Sequence, residues 1–358
     1  MFYLKKQKLV LKRRSAWQMI APMLVMALMV SACQPVVTPT VATMVASATL
    51  SPSSTPASTA TLLPPTSTNT PIPTASPTVS PTPRPLIRRV LILSMDGLRA
   101  DMVEQADMPN LMALMQGGAF TLSAQTTFPS ATLPAHTSML TGLCPAKHGV
   151  DWNDYIPENG YAKGTDLFDL AHAAGLKTIM FVGKEKLRQI TEPSSLDVFR
   201  YINDRDLVIV DRIAEEFPQD FGLMFVHFAT PDAMGHAYGW MSPQYISVVQ
   251  RADEALGNLL RLLDEKGLRQ ETLIIVTADH GGHAQTHGSR LAEDMTIPWV
   301  ISGPGIRPGP LTTPVQTIDT AATAAWALNL LRPVEWDGWP VFEAFGQIPM
   351  ARPSLFCE

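Results

Sequence analysis

Three short apolar runs in this chain each stop within four residues of an aspartate, and no other feature narrows the fold as much. Arg89-Val-Leu-Ile-Leu-Ser-Met95 ends at Asp96-Gly97, Gly222-Leu-Met-Phe-Val-His-Phe228 ends before Pro231-Asp232, and Thr272-Leu-Ile-Ile-Val-Thr277 ends before Asp279-His280. Runs this short, with little alternation, suit parallel strands buried on both faces. Helical spacing is predicted over 108–116, 166–174, 242–266 and 319–330, the first three closed by glycine. Further strands are predicted at 177–182 and 297–302. Strand–helix alternation predicts an α/β domain, doubly wound, with a mostly parallel central sheet and helices on both faces. In such sheets ligands bind beyond the carboxyl ends of the strands, so Asp96, Asp232 and Asp279 are expected to share one crevice.

Charge separates this domain from what precedes it. All 32 acidic residues lie at or after Asp96, whereas 9 of the 27 basic ones come before it. Residues 96–358 therefore carry a formal charge of −14, against −5 for the whole chain. A domain that acidic repels polyanions, so no nucleic-acid polymer is expected as a partner. At the other end, Lys5, Lys6, Lys8, Lys12, Arg13 and Arg14 precede an apolar run over 19–30 and then Ser31-Ala32-Cys33. A basic start, a short apolar core and small residues describe a secretory signal. The cysteine directly after Val30-Ser31-Ala32 resembles the bacterial lipoprotein signal, in which Cys33 becomes the lipidated N-terminus. The apolar run is shorter than the ~20 residues a spanning helix needs. The expectation is a lipid anchor in the cell membrane, on its extracytoplasmic face. Residues 34–85 hold 12 of the 31 prolines and no charge before Arg84. Such a segment cannot offset its chain entropy by burial, so it reads as a disordered, extended stalk. The division expected is signal 1–33, stalk 34–85 and folded domain 86–358. Cys144 and Cys357 remain, and either pairing or burial as free thiols suits them.

Chemistry gathers at the aspartates. Two of them travel with histidine, in Asp232-Ala-Met-Gly-His236 and Asp279-His280, and Thr286-His287-Gly288 follows. A lone Asp after a strand is ordinarily a turn or cap residue, and a lone His on an apolar run, such as His227, a satisfied core residue. Asp96, Asp232, His236, Asp279, His280 and His287 at one sheet edge are instead a metal-binding set. His283, in Asp279-His-Gly-Gly-His283, suits a substrate contact or an outer partner of the ligands. His136, His148 and His227 are read as supporting residues, and His172 as lying on a helix surface.

A hydroxyl completes the set. Thr127-Phe-Pro-Ser-Ala-Thr-Leu-Pro-Ala-His136 places prolines on both sides of Thr132, and the positions after it fit the opening of a helix. A hydroxyl there sits near backbone N–H groups that favour phosphate oxygens.

Taken in order, Met95-Asp96-Gly97-Leu98-Arg99, Phe128-Pro-Ser-Ala-Thr132-Leu-Pro-Ala-His136, Thr141-Gly142, His148-Gly149, Pro231-Asp232-Ala-Met-Gly-His236, Asp279-His280-Gly281 and His287-Gly288 resemble the alkaline phosphatase superfamily. Among its branches the type I phosphodiesterase/nucleotide pyrophosphatase one is the most similar. The similarity runs from about Val90 onward and includes Ile297-Pro298 and Gly303-Pro304-Gly305. It implies an alkaline-phosphatase-like fold and hydrolysis of phosphodiester or nucleotide pyrophosphate bonds in small substrates. It also implies two divalent metal ions, zinc in this family, which suits mixed N and O ligands. Asp232, His236 and His287 would hold one, and Asp96, Asp279, His280 and the Thr132 oxygen the other. Thr132 would attack phosphorus to form a threonyl-phosphoryl intermediate, and Asn153 would donate to a non-bridging oxygen.

The sequence also departs from the family pattern. Ala135 stands where the branch commonly has Asn beside Thr-Phe-Pro, and residues 153–222 contain no obvious nucleobase pocket. Lys184-Glu185-Lys186 follows the strand predicted over 177–182, where a basic pair contacts phosphate in some monoester-specific relatives. Lys184 is therefore a candidate substrate contact, with a solvated loop lysine as the plain reading. A phosphomonoesterase of the alkaline phosphatase type and a phosphonate hydrolase are alternatives on the same metal set. A sulfatase needs Cys-x-Pro-x-Arg, which Cys144-Pro-Ala-Lys147 does not match. A surface lipoprotein without activity would have lost these motifs.

Overall fold

A computed structural model describes residues 87–348 and Cys357; the signal and stalk expected over 1–85 lie outside the described residues. The strands are β1 (Arg89–Met95), β2 (Ala119–Gln125), β3 (Lys177–Val182), β4 (Val198–Tyr201), β5 (Phe221–Phe228), β6 (Thr272–Thr277), β7 (Thr296–Ser302) and β8 (Gly309–Pro310). They form one sheet in the order β4-β3-β5-β1-β6-β7-β2-β8. The helices are α1 (Met102–Gln105), α2 (Pro109–Gly117), α3 (Thr132–Thr141), α4 (Pro145–His148) and α5 (Leu167–Ala173). After them come α6 (Asp206–Glu215), α7 (Thr230–Tyr238), α8 (Pro243–Glu265), α9 (Ala292–Met295) and α10 (Asp319–Ala327).

The central strands form for the reason their sequences suggest. Every residue of β5 and β6 is buried, and β1 is buried after Arg89. Only apolar runs tolerate a sheet covered on both faces. Helix α8 covers part of one face with Val249, Ala252, Leu256, Leu259 and Leu263, one apolar stripe at helical spacing. The Ser242 side chain caps it by accepting from the Tyr245 N–H. At α5, Asp166 and Asp169 form a reciprocal capping box.

Five strands, β4, β3, β5, β1 and β6, run parallel, whereas β7 pairs antiparallel with both β6 and β2. The sheet is therefore mixed. Between β6 and β7 the only helix is the four-residue α9. A parallel return needs a crossover, usually a longer helix, so the chain turns back beside β6 instead. The helix predicted over 319–330 stops at Ala327, because Asn329 adopts a left-handed φ of 57°. Cys144 and Cys357 form a disulfide with Cα atoms 5.0 Å apart, which settles the pairing left open above. Among the described residues, no helix is long and apolar enough to cross a membrane.

Parallel pairing fixes where the chemistry goes. Met95 stands opposite Phe228 and Ser94 opposite Thr277, so β1, β5 and β6 end at one level. The segments carrying Asp96, Asp232 and Asp279 leave that shared edge.

Candidate active site

Asp96 follows β1 directly, and its N–H donates to the Phe228 carbonyl at 2.9 Å. Gly97 then turns with φ of +71°, and a Cβ there would stand 3.0 Å from the Asp232 Cα. Only glycine lets these two segments meet. Trp240 Nε1 and the Tyr245 hydroxyl both donate to the Gly97 carbonyl, at 2.9 and 2.8 Å, and hold the turn. On α7 the four-residue spacing puts Asp232 and His236 on one face, with Oδ1 and Nε2 3.4 Å apart. The connection between β6 and β7 supplies Asp279, His280 and His287.

Ligating atoms gather in two overlapping groups. Those of Asp232, His236 and His287 lie within 4.8 Å of one another, as do those of Asp96, Asp232 and His280. Asp279 Oδ2 lies 3.2 Å from His280 Nε2, while its Oδ1 accepts the Gly97 N–H.

The histidine tautomers follow from their partners. His236 Nδ1 meets the Gln285 carbonyl at 3.0 Å, His280 Nδ1 the Gly281 carbonyl at 2.7 Å, and His287 Nδ1 the Ser130 carbonyl at 2.8 Å. A carbonyl can only accept, so each Nδ1 carries the proton and each Nε2 presents a lone pair. Those lone pairs face carboxylate oxygens: His236 and His287 face Asp232 Oδ1, and His280 faces Asp96 Oδ1 and Asp279 Oδ2. Burial, then the neighbouring His280 ring, pulls the His287 pKa down to about 4, so its imidazole is neutral near pH 7. Asp96 Oδ1, Asp232 Oδ1, Asp279 Oδ2 and His280 Nε2 are buried and have no hydrogen-bond partner among the described residues. Buried acceptors facing buried acceptors are costly unless a cation lies between them. This donor set fits metal ions, and its mixture of imidazole and carboxylate fits zinc.

The hydroxyl sits beside these groups. Thr132 is the first residue of α3 and fully buried. The Lys184 ammonium lies 3.2 Å from Thr132 Oγ1, 2.7 Å from Asp96 Oδ2 and 2.6 Å from Asp232 Oδ2. Burial works against its charge, but Asp96, Asp232 and Asp279 raise its pKa above the ordinary lysine value. Burial likewise works to raise the Asp96 pKa, and Lys184 and His227 together hold it well below the usual carboxylate range. Lys184 is thus no solvated loop lysine. Asn153 Oδ1 accepts the Leu133 N–H at 2.9 Å, which ties its amide to the start of α3. Lys186 donates to the Asn153 carbonyl at 2.7 Å.

Two buried histidines brace the floor. His227 Nδ1 accepts the Gly183 N–H, so its Nε2–H donates to Asp96 Oδ2 at 2.9 Å. His136 Nδ1–H donates to the Thr132 carbonyl, and its Nε2 accepts from Ser94. His148 Nδ1 accepts the Val150 N–H away from the ligand set, and His172 lies exposed on α5. His283 gives its Nδ1 to Asp294 at 2.7 Å.

The profile of the family described as type I phosphodiesterase/nucleotide pyrophosphatase matches residues 90–294, more than half of the chain. The chain belongs to that family. Among its relatives, an uncharacterized pyrophosphatase/phosphodiesterase of Schizosaccharomyces pombe is 28% identical across 56% of this chain and 46% of its own length. Human ectonucleotide pyrophosphatase/phosphodiesterase family member 1 is 28% identical across 53% of this chain and 23% of its own. The chain thus spans less than half the length of these curated relatives. Murine ectonucleotide pyrophosphatase/phosphodiesterase 5, solved in complex with AMP, superimposes with a TM-score of 0.60 at 19% identity, over 69% of this chain and 96% of that one. Wild-type alkaline phosphatase PafA superimposes with a TM-score of 0.61 at 15% identity, over 75% of this chain and 100% of that one. At such identities these likenesses establish the alkaline-phosphatase-like fold.

For this member of the type I phosphodiesterase family, sequence reasoning missed Ser94, Trp240, Tyr245 and Asp294. The first three act on the site through hydrogen bonds to its turns and histidines, and no spacing or motif marks such contacts. The apolar neighbours of Ser94 and the helical pattern around Tyr245 suggested core positions only.

Proposed function

We propose that this chain is an extracytoplasmic two-metal hydrolase that cleaves phosphodiester or nucleotide pyrophosphate bonds. One observation carries the reading: a single ammonium, that of Lys184, touches the Thr132 hydroxyl and carboxylates of both ligand groups. The Thr132 hydroxyl is thus linked through one ammonium to carboxylates of both sets. Family membership supports phosphoester chemistry, and the AMP complex of the murine relative supports a nucleotide-type substrate. Asp232, His236 and His287 would hold one cation, and Asp96, Asp279, His280 and the Thr132 oxygen the other. When bound, such a pair stabilises the entering and leaving oxygens of an in-line displacement.

The chain's own residues do the rest. Thr132 gives up its proton to solvent as Oγ1 attacks phosphorus; the Oγ–P bond forms, the bond to the leaving oxygen breaks and that oxygen takes a proton from solvent, giving a threonyl-phosphoryl intermediate. Water then cleaves that ester and restores the hydroxyl. The Thr132 backbone is held by His136, and the Asp96 carboxylate by His227, so neither must reorganise during the reaction. Asn153, anchored through its oxygen, keeps its amide N–H groups for a non-bridging phosphate oxygen.

A monoester reading draws on Lys184. A monoester brings one more negative oxygen, which needs one more cationic donor. Lys184→Ala should lower monoester kcat/KM by roughly 30–150-fold, the effect of losing a charge-assisted contact, and diester kcat/KM far less. The measurement is a paired assay on a nitrophenyl monoester and bis-p-nitrophenyl phosphate. Equal losses on both would leave the diester reading without this rival.

We also propose attachment through Cys33, on the strength of the signal-like sequence alone. Radiolabelled palmitate should enter the full chain and be absent from Cys33→Ser, whose domain should leave the membrane or stay on an uncleaved signal. A wild type that takes up no label would end the idea.

A further inference from the structure

Asp294 is fully buried, yet it lies in the four-residue helix α9, and the proposed mechanism gives it no role. Its carboxylate faces two donors. His283 Nδ1 lies 2.7 Å from Oδ1, and the Ser289 N–H donates to Oδ2 at 2.9 Å. The backbone of α9 holds the same loop at a third and fourth point. Gly281 N–H donates to the Asp294 carbonyl at 2.9 Å, and Gly282 N–H to the Glu293 carbonyl at 2.8 Å.

These contacts bracket two histidines. Gly281 and His283 follow His280, and Ser289 comes two residues after His287. The rings of His280 and His287 stack with centroids 3.7 Å apart and planes 17° from parallel. His280 belongs to the ligand group of Asp96, and His287 to that of His236. Between them the chain is a tight reversal, with His283 and Thr286 exchanging backbone hydrogen bonds at 2.9 Å. Left to itself, such a loop keeps its two histidines in register only as well as its ends are fixed.

We infer that Asp294 and His283 form a positioning clamp that holds His280 and His287, one ligand of each proposed cation site, in mutual register. Resting on the two-metal reading above, this takes up the second of the two roles the sequence left open for His283, an outer partner of the ligands, in place of a substrate contact. The clamp needs only a buried carboxylate and an N–H at the position of His283 Nδ1. Asparagine supplies such an N–H and no counterpart of Nε2, so His283→Asn separates a clamp from a substrate contact.

The experiment is zinc binding to the purified full chain, by competition with a chromophoric chelator, together with metal stoichiometry. Losing a direct hydrogen-bond partner of a metal ligand costs about 10–100-fold in affinity. The clamp acts one step further out, through the loop that carries both ligands, so that range is an upper bound. Asp294→Ala and His283→Ala should each weaken both zinc ions within that bound, while His283→Asn recovers most of the loss. If Asp294→Ala fails to fold, the His283 pair carries the test, since it keeps the buried carboxylate and its bond from Ser289. Unchanged affinity in His283→Ala, or an equal deficit in His283→Asn, overturns the clamp. A wild-type chain that binds no zinc overturns the metal-centre reading itself, and the clamp with it.

Discussion

Thr132→Ala should lower kcat by about 10⁴-fold or more and abolish phosphoryl labelling of the chain, with the fold unchanged. The expectation rests on a buried side chain that opens α3 and whose hydroxyl meets Lys184. Alanine suits a helical position, and the backbone bond from His136 to the Thr132 carbonyl survives the change. Two measurements on one preparation decide the matter. Rapid quench with a labelled substrate reads the covalent intermediate, and circular dichroism reads the fold. Retained turnover in Thr132→Ala would sink the mechanism, because it is the Thr132 hydroxyl that meets the Lys184 ammonium, while Ser130 donates to the Ser289 carbonyl.

Removing metal should have an effect of comparable size, and Asp232 distinguishes the sites. Its carboxylate belongs to both groups of ligating atoms, whereas His236 belongs to one. Chelation should abolish turnover, and zinc should restore it. Asp232→Ala should lose the ion assigned to Asp232, His236 and His287 and weaken the neighbouring one, whose ligand atoms its carboxylate also borders. His236→Ala should weaken the first ion alone. Metal analysis after dialysis against limiting zinc gives the count directly. Two ions retained in Asp232→Ala would mean that the shared carboxylate is no ligand.

Much of this was legible in the sequence, for physical reasons that also explain the gaps. β1, β5 and β6 are buried on both faces, so their runs had to be apolar and their ends were marked by polar residues. β2, Ala-Phe-Thr-Leu-Ser-Ala-Gln, is half-covered near the sheet's edge, and its mixed run carries no clear period. β4 is four residues long and mostly part-exposed. Helix α7 opens with Thr230-Pro231 and contains Gly235, so propensity concealed it, although its Asp and His lie four apart. The ligand candidates stood out because three Asp, two of them accompanied by His, follow strands that end at one edge, although each alone would pass for a turn residue. Asp294 did not, since one Asp in a short helix looks like any cap, and its partners come from 5 to 11 residues away in a loop without a period.

The Cys144–Cys357 bond closes residues 144–357 into a covalent ring and leaves β1, β2 and α3 on the arm that leads into it. Asp96 and Thr132 lie on the arm, while Lys184, Asp232, His236, Asp279, His280 and His287 lie within the ring. The Cys357 carbonyl also accepts the Phe128 N–H at 3.3 Å, so the ring closes against the segment that leads to Thr132. A protease that nicks an exposed loop of the ring therefore produces one molecule with a gap in its backbone, not two separable halves. Every group of the candidate site stays covalently joined to every other after such a cut, until the bridge itself is reduced.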